Sequence, residues 1–492
     1  MTMTKLHVMT RSAAAACLAL LAGCAAGPDY RRPALPAMDY LPAPVAAALH
    51  DERQVVDAEV PAQWWALFHS KALDELVRGA LARSPSVAAA QASLRQASEM
   101  RRAQQAAFFP TVDASYSAAR QKIAAPIASP LASNADIFNL STAQLNVSYT
   151  PDLFGLNRRQ VESLRAQEQA QRWNVEATYL ALSANLVVAA ISEASLQAQV
   201  DATARQATLQ SDVLERFRQL RRLGENSELD VAQQESQLAS LQAALPGLRK
   251  QLAQQRDLVK ALAGLSPAAD VPALRLDELT LPDPLPLTLP STLVEHRPDV
   301  LMAEADLESA SADIGVAMAN RLPQVTLGVN SWGSSAASLS GLFAPGTAFW
   351  TLAGSATQTL VDGGALRHKE AAARAAYDQA EATYRATVIN AFQNVADALQ
   401  AVQADAEAER ATRHALDIAE HTLQVSRRQL DLGDISAVAV IQVEQAHQQA
   451  LVAAVQAKAQ RLSDAAAMLQ ALGGGWWNRA GDDPAPARAA AD

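Results

Sequence analysis

The chain carries little with which to do covalent or redox chemistry. Of its 492 residues only two are cysteine, Cys17 and Cys24, and both lie at the very start. If the chain is cut before Cys24, no disulfide can form within what remains, even in an oxidising compartment. Aromatics are 5% of a chain that is half apolar, so the apolar content is largely alanine and aliphatic side chains. That suits thin, closely packed helices better than one thick core. Long apolar runs are scarce as well. Ala13 to Leu21 falls well short of the roughly 20 residues a retained membrane helix needs. Positive charge is in deficit, 41 Lys and Arg against 51 Asp and Glu for a net −10, which argues against nucleic acid as a partner. There is no phosphate-binding loop, nucleophile elbow or paired-carboxylate constellation. His296-Arg297-Pro298-Asp299 is similar to a kinase loop fragment but has no glycine-rich loop to accompany it. His414 and His421 share a helical face, yet no Cys or acidic cluster at ligand spacing joins them. The expectation is a protein that is no enzyme and holds no metal or other cofactor.

What is present is a long Ala- and Gln-rich run from Arg158 to about Gly264, broken at Leu223-Gly224-Glu225. Val175, Leu182, Ala189 and Leu196 recur every seven residues, with Tyr179, Leu186 and Val200 offset by three or four, the pattern of a helix packed on other helices. No proline falls between Arg158 and Leu223. A helix of that length rises roughly 100 Å at about 1.5 Å per residue. Gly224, followed by Asn226 and Ser227, suits a tight reversal, after which Asp230 to Leu262 returns helically. The stretch reads as a projecting helical hairpin.

The same unit occurs twice. Ser84-Pro85-Ser86-Val87 is echoed by Arg297-Pro298-Asp299-Val300, and Phe109-Pro110-Thr111-Val112 by Leu322-Pro323-Gln324-Val325, each 213 positions on. Asp152-Leu153-Phe154-Gly155 is echoed by Val361-Asp362-Gly363-Gly364, and Leu223-Gly224-Glu225 by Leu432-Gly433-Asp434, now 209 positions on. The first repeat spans 63–265, with its helical hairpin at 158–264, and the second spans 291–475, with its hairpin at 365–472. A Pro-rich linker, 266–290, joins them. Two copies of so long a unit imply internal duplication into one interleaved body, not an open solenoid.

Residues 1–23 read as an export signal: Lys5 and Arg11 make a basic start, an apolar run follows, and Leu21-Ala22-Gly23-Cys24 is a lipobox. Cys24 would then begin the mature chain as the lipidation site, where several acyl chains anchor stably and one alone does not. Residues 24–62 form a Pro- and Ala-rich extended leader. Trp64-Trp65-Ala66-Leu67-Phe68 begins a helical region whose aromatics serve as core packing or as an interfacial belt, core being favoured because no long apolar span follows. Residues 476–492 form a C-terminal tail, in which Trp476-Trp477 is expected to tuck against the helices.

Strands are expected at about 111–122 and 138–150, and again at about 324–332 and 349–360. Val112, Ala114, Tyr116 and Ala118 lie on one face, and Leu145, Val147 and Tyr149 on another. The Gly- and Ser-rich stretch Gly333 to Gly346 reads as a loop. Four strands cannot close a barrel, and an open sheet leaves two unpaired edges, a hazard in water and inadmissible in lipid. Closure therefore needs other copies. Two chains would give eight strands and three would give twelve, both even numbers.

The lipobox, the Pro-rich leader and the twice-repeated helix, strand hairpin and long helical hairpin, with Phe109-Pro110, Asp152-Leu153-Phe154-Gly155, Leu322-Pro323 and Asp362-Gly363-Gly364 as landmarks, resemble an outer-membrane factor of the TolC superfamily. More narrowly they resemble the NodT-type lipoproteins of resistance-nodulation-division efflux systems. The resemblance implies a mostly α, α+β fold and a homotrimer: a twelve-stranded β-barrel in the outer membrane of a Gram-negative bacterium, continued by a periplasmic twelve-helix α-barrel. It implies a periplasmic adaptor and an inner-membrane pump as partners, and a passive exit duct for drugs or other small molecules. It also implies a periplasmic mouth closed by the hairpin ends. Asp230 matches a gate aspartate there, whereas the corresponding positions of the second hairpin fall on Ala439 and Gln442. Arg221 and Arg222, with Asp431 and Asp434, are candidate substitute pairs beside the turns at Gly224 and Gly433, the alternative being charges that solvate the tips. Runner-up readings are a duct for protein, peptide or metal export and, from another class, a coiled-coil spacer lipoprotein. A spacer has no need of the strands.

Overall fold

The structure is a computed structural model that describes residues 25–33, 60–124, 136–281 and 296–479. Cys24 and the signal, most of the leader, part of the linker and the tail beyond 479 lie outside the described residues.

The order of elements in the first repeat is α1 (Lys71–Arg83), α2 (Pro85–Gln105), β1 (Thr111–Lys122), β2 (Ile137–Tyr149), α3 (Leu156–Arg222) and α4 (Glu228–Leu262). The second repeat runs α5 (Pro298–Ala319), β3 (Gln324–Ala336), β4 (Ala348–Thr357), α6 (Ala365–Leu432) and α7 (Ala437–Ala471). The duplication survives in the lengths: α3 and α6 have 67 and 68 residues, and α4 and α7 have 35 each. Both α2 and α5 open on proline, whose missing N–H and fixed φ suit the first helical position. The long helices start under matching caps. Asp152 accepts from the amides of Asn157 (3.1 Å) and Arg158 (2.9 Å), and Asp362 from those of Gly364 (2.8 Å) and Leu366 (2.7 Å). In both cases a carboxylate satisfies amides that the first turn leaves without a partner. The reversals at Gly224 and Gly433 adopt φ of +80° and +79°, a left-handed conformation that a side chain would strain. Helix α4 continues through Pro246 despite the lost backbone donor.

The strands form one antiparallel sheet in the order β1-β2-β3-β4, so the two repeats meet through β2 and β3. Strand β3 runs on to Ala336, beyond the expected 332, and takes in residues read from composition as loop. A sheet ladder uses backbone groups that small residues supply as well as large ones. Here Ser334 and Ser335 pair with Ala143 and Thr142, and the Thr142 and Ser335 hydroxyls bond across the strands at 3.1 Å. A bulge after Leu145, opposite Asn330 to Trp332, absorbs the extra residue. Strand β4 stops at Thr357, short of the expected 360, where Asp362 begins to cap α6.

The chain divides into two compact units, each built from both repeats. The first takes the described residues of Met1–Ala34, Ser93–Gln171 and Met302–Tyr384; the second takes those of Leu35–Ala92, Arg172–Leu301 and Arg385–Asp492. The single interleaved body expected from the duplication is thus two interleaved units. The sheet belongs to the first. The main apolar core belongs to the second, where Trp64, Phe68 and Leu73 pack with Leu186, Ile191, Leu279 and Leu469. Trp64 is 1% exposed and Phe68 fully buried, so these aromatics are core and form a 3₁₀ turn instead of a longer helix. Trp476 packs against Trp173 at 5.1 Å between ring centroids and donates to His296 O at 2.8 Å, which anchors the described end of the chain. By length and composition α3 would qualify as a membrane-spanning helix, but its apolar residues Leu186, Val187 and Ile191 are spent on this core.

Candidate functional site

In the first unit, the sheet register decides what each face can do. Residues paired across antiparallel strands point to the same side. Val112 pairs with Val147 and Ala114 with Leu145, so the two apolar sets expected on separate faces fall on one. Val147 in turn pairs with Val329, Val329 with Leu352, and Trp332 with Trp350, which carries the same apolar surface across all four strands. Val112, Trp332, Trp350 and Leu352 are between 62% and 72% exposed. Such a continuous apolar face is a liability in water and the surface required against hydrocarbon. The opposite face carries Asp113, Ser115 and Ser117 on β1, Thr142, Gln144, Asn146 and Ser148 on β2, and Thr326 and Ser355 further across. Strands β1 and β4 each keep one edge without a partner among the described residues.

The first unit also fixes the segment that follows Cys24. Arg159, with a side chain 5% exposed, donates to Ala26 O (3.0 Å), Gly27 O (3.3 Å), Asp29 Oδ1 (2.8 Å) and Glu162 Oε2 (2.7 Å). The Ala26 amide donates to Phe154 O at 3.0 Å, and Arg32 pairs with Glu304 at 3.0 Å. Gly27 adopts φ +96°, and a Cβ there would stand 2.4 Å from Gly315 Cα, so two glycines allow backbone to pass backbone. Residues 25–33 form neither helix nor strand and are built into the unit beside the β2–α3 junction. Nothing in the local sequence marks Arg159, because its leader partners lie more than a hundred residues away.

The hairpin ends belong to the second unit. Ser227 caps α4: its Oγ accepts from the Asp230 amide at 3.1 Å, and Asp230 Oδ2 accepts from the Ser227 amide at 2.9 Å and hydroxyl at 2.7 Å. This reciprocal capping box occupies the carboxylate singled out as a gate group. The hydrogen bonds from the Ser227 hydroxyl and amide hold the Asp230 carboxyl below its usual range. In the second hairpin Ser436 accepts from the Ala439 amide at 3.3 Å, and Ala439 has nothing to return. The candidate pairs do not come together within one chain. Arg221 pairs with Glu228 (3.2 Å) and Arg222 with Glu215 (3.6 Å), both in their own hairpin, while Asp431 and Asp434 stand exposed with no ion pair among the described residues.

A duplicated pair went unread in the sequence. Arg218 bonds Glu235 at 2.7 Å and Arg427 bonds Glu444 at 3.0 Å, one clasp per hairpin, related by the 209-residue offset already visible at the glycines. Below the first turn Leu214, Phe217 and Val231 pack with Ile441 of the second hairpin. Leu223, Leu229 and Leu432 at the turns are 66% to 77% exposed. His414 and His421 are exposed on α6, and no group of three or more potential metal ligands exists among the described residues.

A sheet with one hydrocarbon-compatible face, one polar face and two edges unpaired among the described residues, in a chain that also holds two long helical hairpins, fits a membrane channel subunit. The comparisons with known proteins agree. Residues 76–265 and 289–474 match the family described as outer membrane efflux protein, one segment per repeat, and the chain belongs to that family. It is 28% identical over 467 residues to the toluene efflux pump outer membrane protein TtgF of Pseudomonas putida, covering 93% of this chain and 95% of the relative. It is likewise 28% identical over 435 residues to the pyoverdine export outer membrane protein OpmQ of Pseudomonas putida, covering 88% of this chain and 90% of that one. Among solved structures, the outer-membrane channel OprN superposes with a TM-score of 0.82 at 26% identity, over 92% of this chain and all of that one. The chain is an outer-membrane efflux channel protein and not an enzyme.

Proposed function

We propose that three copies of this chain form the exit duct of a tripartite small-molecule efflux system of the NodT type. The observation that carries the reading is the sheet, which is apolar on one face, polar on the other and open at both edges. Joining β1 of one copy to β4 of the next removes every edge and makes a twelve-stranded barrel, apolar outside and polar within. Twelve long helices then continue the lumen into the periplasm. An inner-membrane pump supplies the energy, and a periplasmic adaptor docks on the exposed leucines at the hairpin turns, an apolar surface that a partner would cover. Acylation of Cys24 anchors the trimer to the outer membrane. At the mouth, Asp230 takes part in closure through whatever acceptor capacity its capping box leaves free.

Purified protein in planar bilayers, with its mass taken in the same detergent, tests the duct. Discrete conductance steps from a trimer are expected. A monomer that stays silent at every voltage, including after alanine replaces Gly224 and Gly433, would overturn the reading. For the gate, Asp230→Ala is expected to raise the open fraction, and unchanged conductance and ion selectivity would remove Asp230 from it.

A further inference from the structure

Across the four strands the charged residues are Asp113, Arg120 and Lys122. Strand alternation puts Arg120 and Lys122 on the same face as Val112, Ala114 and Tyr116, the face turned to lipid, and Asp113 on the other. Both cations are exposed, and neither has a hydrogen bond or ion pair among the described residues. They stand at the end of β1 that leads into the strand loop, away from the helices. In the proposed barrel that end faces the outer leaflet. Their height can be worked out. Ten residues from Val112 to Lys122, at about 3.3 Å each, cover about 33 Å of strand, or about 25 Å along the membrane normal at a tilt near 40°. That equals the height of the apolar band of an outer-membrane barrel, about 25 Å. Lys122 therefore emerges at the headgroup level, and Arg120, two residues deeper, reaches it by extending its side chain upward.

A neighbouring copy offers no carboxylate in exchange. Strands β3 and β4 and the connection between them contain neither Asp nor Glu, and on the connection from β1 to β2 the one acidic residue is Asp136. The cations thus outnumber the acids on the outward half of the sheet, where Arg120 and Lys122 pair with Asn139 and Ile137 of β2.

We propose that Arg120 and Lys122 form a binding site for the phosphate groups of the saccharolipid that makes up the outer leaflet, one site per protomer on the lipid-facing side of the barrel. The guanidinium offers a planar fork to a phosphate and the ammonium a mobile point charge. The acyl chains lie along Ala118 and Tyr116 below. The site rests on the barrel orientation proposed above and would keep the trimer in register with the outer leaflet.

The test uses full-length trimer in detergent, titrated with doubly phosphorylated lipid A, with lipid A stripped of phosphate, and with inorganic phosphate, adducts being counted by native mass spectrometry. Wild type is expected to prefer the phosphorylated lipid. Arg120→Ala with Lys122→Ala should weaken that binding about 25-fold, about fivefold for each cation lost near an anionic headgroup. The exchange Arg120→Lys with Lys122→Arg should retain it. Alanine at Arg249 and Lys250, exposed on α4, is the control and should change nothing. Equal affinity of wild type for the two lipids would overturn the proposal, as would undiminished binding in a trimeric double-alanine variant or displacement by millimolar inorganic phosphate. If the alanine pair fails to assemble, the wild-type preference and the exchange variant decide. Conductance recorded in parallel separates the two readings, since a trimer that conducts without phosphate preference keeps the duct and loses this site.

Discussion

Replacing Arg159 should release the start of the leader without unfolding the protein. The guanidinium makes four hydrogen bonds, three of them to the segment that follows Cys24. A hydrogen bond to a charged group contributes about 1.5–3 kcal/mol when buried. Here Asp29 is 91% exposed and rehydrates freely once released, so its share falls towards the 0–1 kcal/mol of a surface pair. The carbonyls of Ala26 and Gly27 carry the rest, and about 2–3 kcal/mol in total is a sound expectation for Arg159→Met, which keeps the packing of the aliphatic stem. Because the loss falls on one segment, it appears as local opening, not as a lower global stability. Two to three kcal/mol multiplies the open population about 30- to 150-fold. Trypsin reports that population through the Arg31–Arg32 bond, which lies within the clamped segment, whereas Pro33 protects the bond after Arg32. Cleavage there should accelerate by that factor in the variant while cleavage elsewhere keeps its rate. Equal cleavage of the parent and Arg159→Met at Arg31 would refute the clamp. Uniform acceleration at all sites would mean that Arg159 supports the whole first unit.

Three further outcomes follow from the faces, the caps and one buried carboxyl. Leu352→Arg, on the apolar face in mid-strand, should cost about 2–4 kcal/mol and deplete outer-membrane trimer, while Thr351→Arg on the polar face should assemble normally and lower cation selectivity; equal yields would invert the assigned faces. Ala439→Asp should give the second hairpin the reciprocal cap of the first, with slower exchange of the Ser436 amide and no change at Ser227. Burial, then a hydrogen bond shared with Asp464, pushes Asp405 up to about 6 from 3.8. A carboxyl raised on folding contributes stability that is fully present below its unfolded value and lost as pH rises through about 6. Thermal unfolding followed from about pH 4.5 to 7.5 should therefore show stability falling across that window in the parent and a flatter profile in Asp405→Asn.

The sequence was most legible where geometry demands a particular residue. Gly224 and Gly433 need positive φ, Pro85 and Pro298 begin helices, and Asp152 and Asp362 recur as landmarks before the long helices, so turns, helix starts and the duplication were readable without coordinates, while the capping role of the two aspartates was not. Period-2 alternation located β1 and β2, because one face of each meets a different solvent from the other, and the repeat placed β3 and β4 as their counterparts. The far end of β3 was lost because Ser and Gly pair in a ladder as readily as they turn, and the bulge that keeps Trp332 on the apolar face leaves no compositional mark. The Arg159 clamp and the Arg218–Glu235 and Arg427–Glu444 clasps depend on which helices lie side by side. Local pattern does not carry that, although the 209-residue offset relates one clasp to the other once either is seen.

The composition of the polar face argues for where selectivity resides. Its side chains are mostly Ser, Thr, Asn and Gln, short neutral groups whose hydrogen bonds to a solute roughly equal those they make to water, so passing cargo exchanges partners at little net cost. The one charge on that face, Asp113, is repeated three times in a closed trimer near the helical end of the barrel. Three carboxylates around an aqueous lumen bias small ions towards cations through the field they focus, but a screening length of about 8 Å at physiological salt leaves the middle of a wide pore almost unbiased. A wall of this kind conducts without choosing. Discrimination among neutral solutes must then come before the barrel, at the pump that loads the duct or at the hairpin mouth. Exchanging residues such as Gln144 or Thr326 for alanine should shift conductance by a small factor and leave the range of exported solutes unchanged. A lumen substitution that narrowed that range would locate a binding step in the barrel and end the passive reading.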